Sequence, residues 1–168
     1  MKIRLIFLSF FFLGCIFSAQ SQSSGTFCVD LNQTVRFAAG KFEVIKGKAL
    51  SGKTLEYESK MILAGTLSAT IKPGPEAGAV HFLSPMPLGT DIVATRSFRD
   101  NMIEMTSTCM EAMGYTMKPS KIKVNGEDAF EMTFFSYEFP ASKSMKIQIY
   151  IVKKADGNSV VLDLMYKE

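Results

Sequence analysis

The chain contains no tryptophan, one histidine and three cysteines among its 168 residues. Metal sites gather several His, Cys or carboxylate ligands, so the single histidine, His81, argues against a histidine-based metal centre. Histidine is also the commonest general acid or base, but His81 lies in a short apolar segment typical of a strand. We interpret it as a sheet residue without a catalytic role, and we predict neither an enzyme nor a bound cofactor or metal.

A strong charge imbalance is also missing. The formal net charge is +3 at pH 7, and 21% of the residues are charged. Proteins that bind nucleic acids concentrate basic residues to neutralise phosphates, so we expect no nucleic-acid partner. The length is that of a single domain, since domains commonly run to about 100–200 residues.

A long apolar run occurs only at the N-terminus. Lys2 and Arg4 precede the run over residues 5–17, and small polar residues follow at 18–21. This arrangement is typical of a secretory signal peptide, and the run is shorter than the roughly 20 residues that cross a bilayer as a helix. We therefore predict a signal peptide over residues 1–21 and an exported protein, periplasmic or secreted, with no transmembrane span in the mature chain. An uncleaved anchor is the alternative.

The exact processing of this N-terminus is open. Cleavage after Ser21 leaves 147 residues and removes two cations and no carboxylate, which lowers the net charge from +3 to +1. Cleavage after Ala19 satisfies the small-residue rule nearly as well. Gly14 and Cys15 match the end of a bacterial lipoprotein signal, although their apolar neighbours fit it poorly. Lipidation at Cys15 is therefore the less favoured alternative.

Two cysteines remain in the mature chain. In an oxidising compartment, Cys28 and Cys109 can pair as a disulfide that pins the N-terminal segment to the rest of the fold. The alternative is two separate thiols, with Cys109 acting as a small apolar core residue.

The mature chain is predicted to begin with a polar tail over residues 22–33, followed by a single domain over 34–168. Alternating apolar and polar residues in its first part predict half-buried strands. These strands are expected at 34–45, 53–63, 66–72 and 79–83, and a proline-containing loop is expected at 84–89.

The hydrophobic period then changes to that of a helix. Its apolar stripe consists of Phe98, Met102, Met105, Cys109 and Met113. Such spacing forms one face of an amphipathic helix. The residues available to cap its start are Ser97 or Asp91, and Gly114 is suited to end it in a left-handed conformation.

The last third predicts a β-meander. Turns are expected at Asn125-Gly126, which is a strong hairpin signal, and at 156–158. The strands are expected at 129–139, 144–152 and 160–166. Strands, one helix and further strands together predict an α+β fold, in which one long helix packs on one face of an antiparallel sheet.

Methionines are concentrated in or just after the predicted helix. The cluster consists of Met102, Met105, Met110, Met113 and Met117. Thioethers bind Cu(I), but methionine also packs adaptably in cores. We favour a pliable core over a copper site, and an adaptable apolar pocket is a further alternative.

The strand at 129–139 is apolar on both faces. Phe130, Met132 and Phe134 form one face, whereas the other consists of Phe135, Tyr137 and Phe139. A sheet covered by helix on one side should expose its second face to water. Either the N-terminal segment or a loop covers Phe135, Tyr137 and Phe139, or these residues bind a partner or an apolar ligand.

Residues 121–166 resemble the C-terminal half of the PsbP-like fold. The likeness lies in a helix followed by Ile122-Lys123-Val124-Asn125-Gly126, then the strand 147–152, a Gly-Asn turn at 157–158 and a last strand. This family includes an extrinsic subunit of photosystem II, a Ran-binding protein and bacterial envelope lipoproteins. The resemblance implies a binding or assembly module without catalysis, and it transfers no functional residue.

Together these features predict an exported, non-catalytic binding or assembly module of the cell envelope. An apolar sheet face formed by Phe135, Tyr137 and Phe139 is expected to receive a protein partner. The alternative is a carrier that holds a small apolar ligand between the helix and the sheet.

Overall fold

The computed structural model describes residues 25–124, 126–135 and 144–167. Outside these ranges lie the predicted signal peptide over residues 1–21, Cys15 within it, Tyr137 and Phe139.

Helix α1 covers residues 25–38, and a short 3-10 helix follows at Glu43–Ile45. Four strands come next, namely β1 (Lys46–Ala49), β2 (Tyr57–Ser59), β3 (Thr70–Pro73) and β4 (Val80–Pro87). Helix α2 (Ile92–Ala112) precedes β5 (Thr116–Val124), β6 (Glu127–Phe135), β7 (Ser144–Lys154) and β8 (Gly157–Lys167).

The eight strands form one antiparallel sheet in the order β1-β2-β3-β4-β8-β7-β6-β5. Each half of the chain is a helix followed by a four-stranded meander, and the two meanders join where β4 pairs with β8. Helix α2 packs against β5, β7 and β8. The predicted α+β fold, with a long helix on one face of an antiparallel sheet, is therefore confirmed.

Both helices share their core with one face of the sheet, which we call the helix face. Strand register aligns its side chains in rows, for example Met86 with Val160 and Phe82 with Leu164. Its buried residues are Ile71, Phe82, Met86, Met132, Met145, Ile147, Ile149, Ile151, Val160, Leu162, Leu164 and Tyr166. Together with buried residues of α1 and α2 they form a single hydrophobic cluster.

Helix α1 corrects two predictions. The polar tail over 22–33 and the strand over 34–45 are wrong for residues 25–38, which are helical. Burial along this segment has the helical period rather than the strand period, and it falls on Phe27, Leu31, Val35 and Ala38. These positions form a single stripe along a helix, so the segment supplies core rather than a solvated tail.

The strands predicted at 53–63 and 66–72 are shorter than expected. Only Tyr57–Ser59 and Thr70–Pro73 pair in the sheet. Leu55, which belongs to the strand predicted at 53–63, is 61% exposed and has a φ of 60°, which is a left-handed conformation rather than a strand conformation. Leu67 is exposed as well. The residues between these short strands form loops.

Strand β4 extends as far as Pro87, into the segment predicted as a loop at 84–89, because Pro85 pairs with Val161 and Pro87 with Ser159 of β8. Proline lacks an N–H donor and is confined to strand edges. Strand β3 pairs with β4 only at residues 80–83. Beyond that point no described strand lies beside β4 on this side, so the missing donors of the two prolines break no ladder in the described sheet.

Helix α2 begins at Asp91 rather than at Ser97. The Asp91 carboxylate accepts hydrogen bonds from the N–H groups of Val93 at 2.8 Å and Ala94 at 3.3 Å. An aspartate in this position satisfies amide groups that lack a partner within the helix. At the other end Gly114 has a φ of 82°, so the predicted left-handed termination is confirmed.

The C-terminal meander is confirmed in its main features. Val124 pairs with Glu127 across the predicted Asn125-Gly126 turn, and Gly126 has a φ of 79°. Strands β7 and β8 pair continuously from Ser144 with Lys167 to Lys154 with Gly157. These two strands form the centre of the sheet together with β4.

A disulfide joins α1 to α2. Cys28 and Cys109 are bonded with their Cα atoms 5.3 Å apart, which lies within the normal range for this bond. Because the two cysteines belong to different halves of the chain, the bond holds the helices of the two halves together.

The methionines of the predicted cluster pack into the core. Met102 and Met110 of α2 are buried. Met105, Met113 and Met117 are partly buried against the same hydrophobic cluster. This placement is the one expected of a pliable core.

We predict that replacing both cysteines with serine lowers the free energy of unfolding by up to about 4 kcal/mol, because the bond closes a loop of 81 residues and restricts the unfolded chain. Urea denaturation of the wild type and the double variant measures the difference. Intact mass before and after reduction is the control, and an unchanged midpoint in a protein with a proven disulfide would contradict the prediction.

Candidate functional site

The sheet face opposite the helices carries an ordered group of polar side chains. Strand register places Glu131, Gln148 and Asp163 side by side on β6, β7 and β8. His81 of β4 and Lys146 of β7 flank Met165 in the next row. The polar groups therefore come from four adjacent strands, which hold them in fixed relative positions.

His81 and Asp163 form the centre of this group. The Nδ1 atom of His81 lies 2.9 Å and 3.0 Å from the two carboxylate oxygens of Asp163. Asp163 is 4% exposed, and the His81 side chain is 11% exposed. A carboxylate in such a position requires a partner, since burying an unpaired charge is costly. The pair also fixes the imidazole ring and leaves Nε2 as its second polar atom.

Tyr150 of β7 lies near the same carboxylate. Burial and, to a smaller extent, the negative charge of Asp163 raise the pKa of Tyr150 from 10.0 to about 12. Both effects disfavour the phenolate, so the side chain remains a neutral phenol over the physiological range. Tyr150 can then donate or accept a hydrogen bond without adding charge.

Glu131 is held by two neighbours on β7. The amide nitrogen of Gln148 donates to Glu131 Oε2 at 2.8 Å, and Lys146 Nζ lies 3.4 Å from Oε1. The Glu131 side chain is largely buried, whereas that of Lys146 is 42% exposed. The ammonium group of Lys146 has three donors, so it keeps donors for a second partner.

A recess of about 320 Å³ opens beside these side chains. Its lining includes His81, Glu131, Lys146, Gln148 and Met165 on the sheet, and its rim includes Pro75, Glu76 and Ala79. The volume is at the lower end of the range found for small-molecule sites. We call His81, Glu131, Lys146, Gln148, Tyr150 and Asp163 the polar sheet site.

The β3–β4 turn over residues 74–79 folds closely over His81. A Cβ atom on residue 74 would lie 2.7 Å from His81 Nε2 and 2.7 Å from the Cβ atom of Ala79. Only glycine permits this approach, so Gly74 is required by packing rather than by its φ. The backbone there is also closed by a hydrogen bond from Gly74 N–H to the carbonyl oxygen of Ala79 at 2.8 Å.

The chemistry available at the polar sheet site is hydrogen bonding and ion pairing. Lys146 offers donors, and Glu131 and the carbonyl of Gln148 offer acceptors. Among the described residues, no three His, Cys, Asp or Glu side chains are arranged to hold a metal ion.

The residues predicted to bind a partner fall mostly outside the described ranges. Phe135 is the last described residue of β6, where it pairs with Thr116 of β5. Tyr137 and Phe139 follow it in the part of the chain that is not described. The binding role of these three residues therefore stays a prediction.

Sequence reasoning missed the pairing of His81 with Asp163. His81 does lie in a strand, as predicted. Asp163 itself was a usable signal, because it interrupts the apolar strand predicted at 160–166. If that strand is central in the sheet, its carboxylate needs a partner. The partner could not be identified without the pairing of β4 with β8.

Comparisons with known proteins find no relatives. No family model matches the chain. Neither the curated proteins nor the solved structures contain a match. Within the described ranges, neither helix combines the length and hydrophobicity needed to cross a membrane.

We predict that Tyr150 makes stability depend on pH in the alkaline range. Because its pKa is higher in the folded state than its ordinary value, the folded chain holds the phenol proton more tightly than the unfolded chain. The stabilisation of the folded state by the protonated Tyr150 is complete below pH 10, and it is lost as the pH rises toward 12. Urea denaturation at a series of alkaline pH values should therefore show a shallower decline for Tyr150→Phe than for the wild type. Parallel declines would contradict this assignment.

We predict that Gly74→Ala destabilises the protein, because the new methyl group overlaps both His81 and Ala79. Overpacking of this kind costs about 1–3 kcal/mol. Gly89→Ala is the matched control, since a Cβ atom there meets nothing within 4 Å. Thermal unfolding of both variants measures the effect, and equal midpoints would show that the turn does not press on the imidazole.

Proposed function

We propose that this protein is an exported, non-catalytic binding module of the cell envelope, and that the sheet face opposite its helices receives a protein partner. The observation that carries this proposal is the polar sheet site, an ordered set of charged and polar side chains around a recess on the face that the described helices leave uncovered. The recess is suited to a polar side chain of the partner.

The difference in polarity between the two faces of the sheet supports the proposed binding face. The helix face is filled by fully buried apolar side chains such as Ile147, Leu162 and Leu164. On the opposite face Lys146 remains accessible while its neighbours hold it in position. Charged groups that are fixed before binding lose little conformational freedom on association, which favours specific recognition.

The position of His81 supports binding rather than catalysis. A general base needs an unobstructed ring nitrogen within hydrogen-bonding distance of the proton that it removes. The Nδ1 atom of His81 is occupied by Asp163, and the backbone at Gly74 lies close above Nε2. The histidine therefore serves to anchor the buried carboxylate and to shape one wall of the recess.

Export is supported by the disulfide between Cys28 and Cys109, since such bonds persist in oxidising compartments. The signal peptide predicted over residues 1–21 points the same way. A near-neutral mature chain with a disulfide between its two helices is consistent with a periplasmic or secreted location.

The alternative function, a carrier that holds a small apolar ligand between the helix and the sheet, receives less support in the middle of that interface. Side chains of both helices and of the sheet fill this interior, where Leu31, Met110 and Ile149 are completely buried. A ligand there would have to displace packed core residues, which native packing density resists.

We predict that Lys146→Met weakens partner binding by at least about tenfold, since it removes an accessible charge from the centre of the site. The test is native mass spectrometry of the protein isolated from its own compartment. Lys48→Met is the matched control, because Lys48 is an exposed lysine on the distant edge strand β1. Wild type and Lys48→Met should retain the same bound protein, and Lys146→Met should lose it.

Two results would contradict the proposal. One is a wild-type protein that carries no protein partner or carries only a small molecule. The other is equal retention of the partner by Lys146→Met and Lys48→Met.

A further inference from the structure

A second recess lies on the other side of the sheet, between α2 and the β5–β6 hairpin. It has a volume of about 460 Å³, within the range typical of small-molecule sites. Helix α2 contributes Arg99, Asp100 and Ile103, and the hairpin contributes Lys121, Asp128, Ala129 and Phe130. We call this recess the helix–hairpin groove. It is separate from the polar sheet site, so neither site depends on the other.

The groove has an apolar floor. Ile103 and Phe130 are partly buried and pack against the hydrophobic core. Ala129 beside them is buried. An apolar group lying here would cover surface that is otherwise in contact with water, and removing such surface from water is favourable by about 25 cal/mol per Å².

Arg99 is held rigidly at the side of the groove. Its Nε and Nη2 atoms donate to Asp100 Oδ1 at 2.9 Å and 2.7 Å, and Nη1 donates to the carbonyl oxygen of Asp128 at 3.0 Å. The side chain is only 18% exposed. A guanidinium group has five N–H donors, so two remain after these three bonds within the described part of the chain. Its orientation is fixed before a ligand arrives.

Lys121 adds a second cation on the facing strand. It is exposed, and the described residues include no hydrogen-bonding or ion-pair partner for it. The groove also contains the exposed Asp128, but Lys123 lies opposite Asp128 in the β5–β6 register and offers it a counter-charge. Asp100 also lines the groove and pairs with Arg99, so Lys121 supplies the unpaired positive charge and Arg99 supplies its two free N–H donors.

We propose that the helix–hairpin groove binds a small amphipathic anion, an alkyl or aryl carboxylate. Its hydrocarbon part lies on Ile103 and Phe130, and its carboxylate interacts with Lys121 and Arg99. The pairing of a planar guanidinium with a carboxylate is geometrically well matched. A neutral hydrocarbon would cover the floor but would leave Lys121 without a partner.

The test is calorimetric titration of the purified, disulfide-bonded protein with decanoate. Decanol and decylammonium serve as neutral and cationic comparisons of the same chain length. We expect decanoate to bind most tightly and the cation to bind least. Lys121→Met should weaken decanoate binding by at least about tenfold, because a charge-assisted contact is removed.

Lys118→Met is the matched control. Lys118 is also an exposed lysine of β5, but it does not line the groove, so this variant should bind decanoate as the wild type does. Amide chemical shifts provide the second readout, and binding should perturb residues around Ala129 and Phe130. The proposal is overturned by an absence of decanoate binding, by equal affinity for decanol, by unchanged affinity in Lys121→Met, or by shifts confined to the polar sheet site.

Discussion

The pairing of β4 with β8 is the interaction on which the rest of the structure depends. It joins two four-stranded meanders into one sheet, with eight aligned residue pairs from Val80–Tyr166 to Pro87–Ser159. It also brings His81 beside Asp163, and it creates the continuous apolar face on which both helices pack. Without it each half would be a small sheet with one helix and too little apolar surface to bury.

The two faces of this sheet are stabilised by different interactions. On the helix face, burial is mainly apolar and gains from close packing, although Ser84 is buried there as well. On the opposite face, Asp163 is buried as a carboxylate and is tolerable only because His81 bonds both of its oxygens. Burial near this charge also holds Tyr150 neutral. The proposed binding site thus arises where the fold contains its one paired, buried carboxylate among the described residues.

Local signals in the sequence identified local structure well. The methionine stripe, Gly114 and the Asn125-Gly126 turn predicted α2 and the last hairpins because their information lies within a few residues. Helix α1 was missed because Val35, Phe37 and Ala39 also fit an alternating strand, and only burial of Phe27, Leu31 and Val35 decides between the periods. The proline-containing end of β4 and the His81–Asp163 pair could not be predicted, since both depend on which strands become neighbours.

The order of strands has a consequence for how the chain reaches its native state. Strand β8 is the last of the described strands, yet it lies in the middle of the sheet between β4 and β7. The two central ladders, β4–β8 and β8–β7, are therefore completed only after the chain as far as β8 has been synthesised. The disulfide likewise forms only after Cys109 has been synthesised, 81 residues after Cys28. Since non-local pairing slows folding, a sheet whose central strand is the last one described along the chain is expected to fold slowly.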